Sequence, residues 1–157
     1  MDTREEIAAG LREVQQRLAG LTPRITSNLE RPLLSGTWTV HDALCHIAAD
    51  AEAVPNWLRR IGAAVEGGSV RPEGVSGEEF NEQQIEARKS LPVTAVLSEI
   101  DARFAADLAA IAALDESLLT REIDYRRGRA PAATMLRFYT GPHNMRHLDD
   151  IEQALDA

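Results

Sequence analysis

Residues 38–61 read WTVHDALCHIAADAEAVPNWLRRI, and the spacing of the apolar positions in this stretch decides the fold. Leu44, Ile47, Ala51, Val54, Leu58 and Ile61 recur at steps of three and four, the period that lays side chains along one face of an α-helix. Thr39 stands just ahead of the stripe, where its hydroxyl can accept from the free amide groups of a first turn. Asp42, three residues on, occupies the capping-box position, with a shorter side chain than the usual Glu. Pro55 falls inside the pattern. Because the period continues through it, the expectation is one long helix kinked at Pro55.

The same period recurs on both sides. Ile7, Leu11, Val14, Leu18 and Leu21 predict a first helix that Pro23 stops soon after. Gly67-Gly68 and Pro72 to Gly77 mark a loop, and a short helix is expected from about Glu78 to Arg88. Val93, Val96, Ile100, Phe104, Leu108 and Ile111 predict a third long helix opening near Pro92. A polar loop containing Arg126-Arg127-Gly128-Arg129 should run to Pro131. Leu136, Tyr139, His143, His147, Ile151 and Leu155 share a face of the last helix; at Gly141-Pro142 either this helix kinks or a new one starts with Pro142 in its first position, and the kink is expected because the phase holds across it. Strand signals are poor, and aromatic residues total only 4% of the chain. Four amphipathic stripes therefore predict an all-α helix bundle, with residues 1–157 as a single domain.

Composition narrows the function classes. The net charge of −8 argues against nucleic acid as a partner, because phosphate binding wants a basic face. No stretch approaches the ~20 apolar residues of a membrane span. The polar opening Met1-Asp2-Thr3-Arg4-Glu5-Glu6 lacks the apolar run of a secretory leader. The one cysteine, Cys45, cannot form an internal disulfide. A cytoplasmic protein acting on a small molecule is expected.

Chemistry concentrates in the histidines. His143 and His147 are four residues apart, which places them about 40° apart on one helix face. Such a pair can grip a metal ion, or it can be two polar residues at a helix surface. Tyr139 and Ile151, one turn to either side, make the face partly apolar and turn it inward. Inward histidines need partners, because burying unpaired polar groups is costly. A third ligand must come from His41 or His46. These two lie about 140° apart on their helix, so they cannot face one point. His46 sits at the edge of the core stripe, between Asp42 and Asp50; a lone histidine there is more often a surface or satisfied core residue than a ligand.

Trp38-Thr39-Val40-His41-Asp42-Ala43-Leu44-Cys45-His46 resembles the opening signature of DinB/YfiT-like proteins, in which a histidine eight positions after the tryptophan binds metal. His143-Asn144-Met145-Arg146-His147, with the apolar-acidic tail after it, resembles the closing motif of that family. Phe80-Asn81-Glu82-Gln83-Gln84 is similar to a segment of the mycothiol-transferase-like relatives. The resemblance implies an antiparallel four-helix bundle of up-down-down-up order. It also implies one divalent ion on His46, His143 and His147. Three neutral imidazoles would leave that ion its full charge and an open position; zinc, nickel and iron all suit imidazole. Asp42 and Asp50 are candidates to orient His46, and Asn81 and Tyr139 to face the pocket. Cys45, about 100° round the helix from His46, is expected in the core rather than as a nucleophile.

The resemblance further implies a metal-dependent transferase that uses mycothiol or bacillithiol on a small electrophile, and a homodimer. A metal-dependent hydrolase and a non-catalytic, stress-related metal binder are the alternatives. Mycothiol-dependent maleylpyruvate isomerases, a related branch, carry a glutamate where this chain has His143, which weighs against that isomerase activity.

Overall fold

The computed structural model describes residues 3–50, 52–63, 71–125 and 128–157. Ala51, Gly67-Gly68 and Arg126-Arg127 of the sequence reading lie outside the described residues.

Helix α1 (Arg4–Thr26) starts on a full capping box, with Thr3 and Glu6 each bonding the other's backbone N–H. Its expected stripe is buried. Pro23 does not stop it: the Thr22 hydroxyl donates to the Leu18 carbonyl at 2.8 Å, and Ile25 is buried in one further turn.

The second pillar of the bundle is two helices rather than one kinked helix. Helix α2 (Val40–Ala48) carries the expected Thr39–Asp42 capping box. It ends where Ala49 turns extended, and α3 (Val54–Arg60) begins afresh with Pro55 in its first turn. There the missing N–H of proline costs no hydrogen bond. Leu44, Ile47, Val54, Leu58 and Ile61 are all buried even so.

Helix α4 (Gly77–Arg88) has a capping box of Ser76 and Glu79. Helix α5 (Val93–Ala113) follows with Pro92 as its N-cap residue, burying Val96, Ile100, Phe104 and Ile111. A single turn, α6 (Glu116–Leu119), leads, in place of the expected polar loop, into an antiparallel hairpin of β1 (Glu122–Tyr125) and β2 (Gly128–Pro131). Gly128, at φ +119, supplies backbone freedom that a side chain would deny. The last pillar is also divided, into α7 (Ala132–Thr140) and α8 (Pro142–Asp156), so Pro142 opens a helix instead of kinking one. At this break Gly141 passes the backbone of Gly10 in α1, where an added Cβ would lie 3.8 Å from the Gly10 Cα.

Helix α1 packs chiefly on α5, α7 and α8, and α2 on α4, α5 and α8. Consecutive helices α1 and α2 therefore lie on a diagonal, joined by a crossover through residues 27–39. This is the four-helix bundle expected, with the two unbroken pillars side by side and the two broken pillars side by side. Leu11, Leu44, Ile100, Phe104, Leu136 and Ile151 are fully buried at its centre. Each such side chain contributes about 1.5–3 kcal/mol by leaving water. No helix among the described residues is long and apolar enough to cross a membrane.

Candidate metal centre

The two broken pillars meet each other where α2 packs on α8. Helix α2 brings His46, one turn after Asp42 of its capped first turn; α8 brings His143 and His147 from one face. One ring nitrogen from each of the three lies within 4.8 Å of the other two. His46 Nε2 and His147 Nε2 are 3.2 Å apart, with the rings at 78°. His143 and His147 stand edge-on at 88°, ring centres 4.8 Å apart. His46 and His147 are buried and His143 half-buried.

Burial comes first among the causes that hold His46 down to about 3, with His147 and His143 adding to it. Burial likewise holds His147 down to about 4, helped by Arg146 and Arg103. Both rings are thus neutral at neutral pH, the form that ligates metal. The donor set fits a divalent ion of the zinc, nickel or iron kind. Two nitrogens bound at about 2.0–2.1 Å in a tetrahedron are roughly 3.3 Å apart, close to the separation of the His46 and His147 nitrogens. The Nδ1 atom of His46 is buried without a hydrogen-bond partner, so this ring is held by packing, with Trp38 5.0 Å away, rather than by a carboxylate.

Helices α2 and α3 are broken apart by polar groups that repair the loose ends. The buried Arg103 of α5 donates to the Ile47 carbonyl and, at 2.9 Å, to the Ala49 carbonyl, closing the C-terminus of α2 one residue beyond His46. Asp107, one turn on, accepts from the Val54 N–H at 2.8 Å and opens α3. Asn144 does the same for the other break, donating to the Tyr139 and Thr140 carbonyls at 2.9 and 3.2 Å.

In front of the histidines lies a cavity of about 1260 Å³, walled by Trp38, Glu52, Trp57, Arg60 and Tyr139 among others. Behind them is a recess of about 10 Å³ lined by the three histidines, Glu52, Arg103 and Asn144 among others. Trp57 stacks on Tyr139 at 4.5 Å, the Arg60 guanidinium lies 4.1 Å over Trp57, and Tyr139 in turn is 5.3 Å from the His143 ring. Trp57 Nε1 donates to Glu52 at 3.1 Å. Burial pushes the Glu52 carboxyl above its usual range, against the pull of Arg60 and Arg103.

The structure brings together His46, His143 and His147 and leaves His41 out of the group. Asn81 and Tyr139 line the cavity, as the sequence suggested. Asp42 does not orient His46 by any hydrogen bond shown; its carboxylate accepts from the Thr39 N–H at 2.9 Å as a cap. Asp50 sits in the break between α2 and α3 and is not among the residues lining the cavity. Cys45 is buried in the core, its thiol pushed up to about 11 by burial, which removes it as a nucleophile. Glu52 was missed because an unbroken helix would have carried it about 120° away from His46; the chain break at Ala49–Ala53 brings it to the cavity.

A family model described as the mycothiol maleylpyruvate isomerase N-terminal domain matches residues 7–150. No curated protein matches the chain. Among solved structures, an uncharacterized protein from Clostridium difficile 630 is similar over 98% of this chain and 95% of its own, with a TM-score of 0.73 and 12% identity. YfiT from Bacillus subtilis, described as a probable metal-dependent hydrolase with an unusual four-helix bundle topology, matches over 96% and 85%, with a TM-score of 0.69 and 18% identity. A mutant of the mycothiol-dependent maleylpyruvate isomerase matches over 96% of this chain and 63% of its own, with a TM-score of 0.63 and 18% identity.

Proposed function

The chain belongs to the mycothiol maleylpyruvate isomerase N-terminal domain family, within the DinB/YfiT-like proteins, and from that premise we propose that it is a metal-dependent transferase joining a low-molecular-weight thiol to a small electrophile. The observation that carries this reading is a cluster of three histidine nitrogens that opens into a cavity large enough for two small molecules. His46, His143 and His147 would hold the ion. Because all three donors are neutral, a bound dication keeps its full charge and lowers the pKa of a coordinating thiol. The chain supplies the setting: Trp38, Trp57 and Tyr139 wall the cavity, and no thiol of its own competes, since Cys45 is buried. A closed structural site would instead show a fourth protein ligand, and among the described residues the cluster holds three.

The description of YfiT favours a second reading, metal-dependent hydrolysis, in which water takes the place of thiol. The test is to assay metal-loaded protein with mycothiol, bacillithiol and glutathione against an aryl halide, and in parallel against esters and amides. Thiol-dependent turnover that disappears in His147→Ala is expected. Turnover without thiol would move the assignment to a hydrolase.

A further inference from the structure

A thiol reaching the histidines brings a proton that must leave before its sulfur can attack. His46 and His147 are poor acceptors for it, being buried among one another and turned ring nitrogen to ring nitrogen. Four residues line both the large cavity and the recess behind it: the three histidines and Glu52. Among the described residues Glu52 is therefore the one carboxylate placed at the junction of the two spaces. The other acids of the cavity wall include Glu78, Glu82 and Asp124, which are exposed and touch only the large cavity. Glu52 is also held firmly. One of its oxygens accepts from Trp57 Nε1, and Trp57 is fixed between Tyr139 and Arg60.

We propose that Glu52 is the catalytic base of this site, a role that rests on the transferase reading above. Its carboxylate takes the proton of the thiol S–H. The sulfur lone pair then forms the S–C bond, the leaving group departs with the electrons of its own bond to carbon, and the proton on Glu52 passes to that leaving group or to solvent. Burial raises the proton affinity of Glu52 above that of a surface glutamate. Arg60 from α3, Arg103 from α5 and Arg71 pull the other way. His46 faces it from α2, and His143 and His147 from α8.

Glu52→Gln is the informative change, because the amide oxygen can still accept from Trp57 while the capacity to bind a proton is gone. Metal content should equal wild type. Thiol binding is followed by calorimetry with glutathione, mycothiol and bacillithiol in two buffers of different ionisation enthalpy. Wild type should release less than one proton per thiol bound, and Glu52→Gln a full one. With 1-chloro-2,4-dinitrobenzene as electrophile, kcat/KM should fall by about 10²–10⁴-fold, the acidic limb of its pH profile should vanish, and Glu52→Asp should recover part of the rate. A Glu52→Gln protein with wild-type proton release and pH profile overturns the assignment while leaving the transferase reading intact. A wild type that neither binds thiol nor turns over with it overturns both.

Discussion

Helices α1 and α5 run unbroken for 23 and 21 residues, whereas the other two pillars are interrupted, one between α2 and α3 and the other at Gly141. An unbroken helix satisfies its own backbone, so its buried face can be almost wholly apolar, as that of α1 is. A break leaves loose carbonyl and amide groups inside the bundle, and these must be met by polar side chains. Most of the buried polar residues serve this end. Asn56, Arg103 and Asp107 close the first break, and Thr140 and Asn144 the second. The broken pillars are also the ones that carry His46, His143 and His147. Stability and chemistry are thus divided between two pairs of elements, and Arg103 and Asp107 show that the division is not complete, since an unbroken helix lends them to its broken neighbours.

Acid should separate the pairs most strongly. In metal-free protein, burial holds His46 at about 3 and His147 at about 4, while the unfolded chain titrates near 6.5. Between those values the unfolded state binds more protons. Stability is therefore full above the unfolded value and is lost progressively as pH falls toward 4 and then 3. Urea unfolding from pH 7 to pH 4 should show this loss in wild type and much less of it in a variant carrying His46→Phe and His147→Phe. Equal pH dependence in the two proteins would show that the histidines are not the cause.

Adjacent residues of α5 sharpen the contrast next. Phe104→Ala should cost about 3–5 kcal/mol in urea unfolding through the cavity it leaves, with metal stoichiometry unchanged. Arg103→Ala should cost a similar amount, about 3–5 kcal/mol, because Asp107 is left buried without its partner. It should also weaken metal binding, since the end of α2 that holds His46 loses its closure. Unchanged metal affinity in Arg103→Ala would remove the link between the caps and the centre.

A smaller effect, about 1–3 kcal/mol, is expected of Asn144→Ala, which strands the Tyr139 and Thr140 carbonyls. Its unfolding curve and its metal titration should both shift. The smallest effects are those of Thr3→Ala and Thr39→Ala, about 1 kcal/mol each for a lost N-cap. Metal affinity should respond only to Thr39→Ala, because only that cap belongs to a helix bearing a ligand.

The unbroken elements and the start of α2 were legible in the sequence: the stripes of α1 and α5 and the Thr39–Asp42 box read directly. Both breaks were hidden for one reason. Val54, Leu58, His147 and Ile151 re-enter the core in step with the residues before the interruption, so the period gives no sign that the helix has stopped. The proline in each case was read as a kink when it stands in a first turn. The three histidines were found through spacing and motif, but Glu52 depends on a break that periodicity cannot show. The hairpin at Glu122–Pro131 is too short for alternation to stand out; Ile123 is partly buried and packed against the core.

The anchoring of α3 to Asp107 rather than to α2 has a consequence for how such a protein can change over evolutionary time. Glu52, Trp57 and Arg60 descend from a segment whose start is fixed on α5, while His46 is fixed by the end of α2. The cavity wall and the histidine cluster are thus tethered through different residues of α5, Asp107 for α3 and Arg103 for α2. Substitutions in α3 can reshape the cavity without moving an imidazole, so one histidine cluster can be inherited unchanged while the cavity beside it diverges.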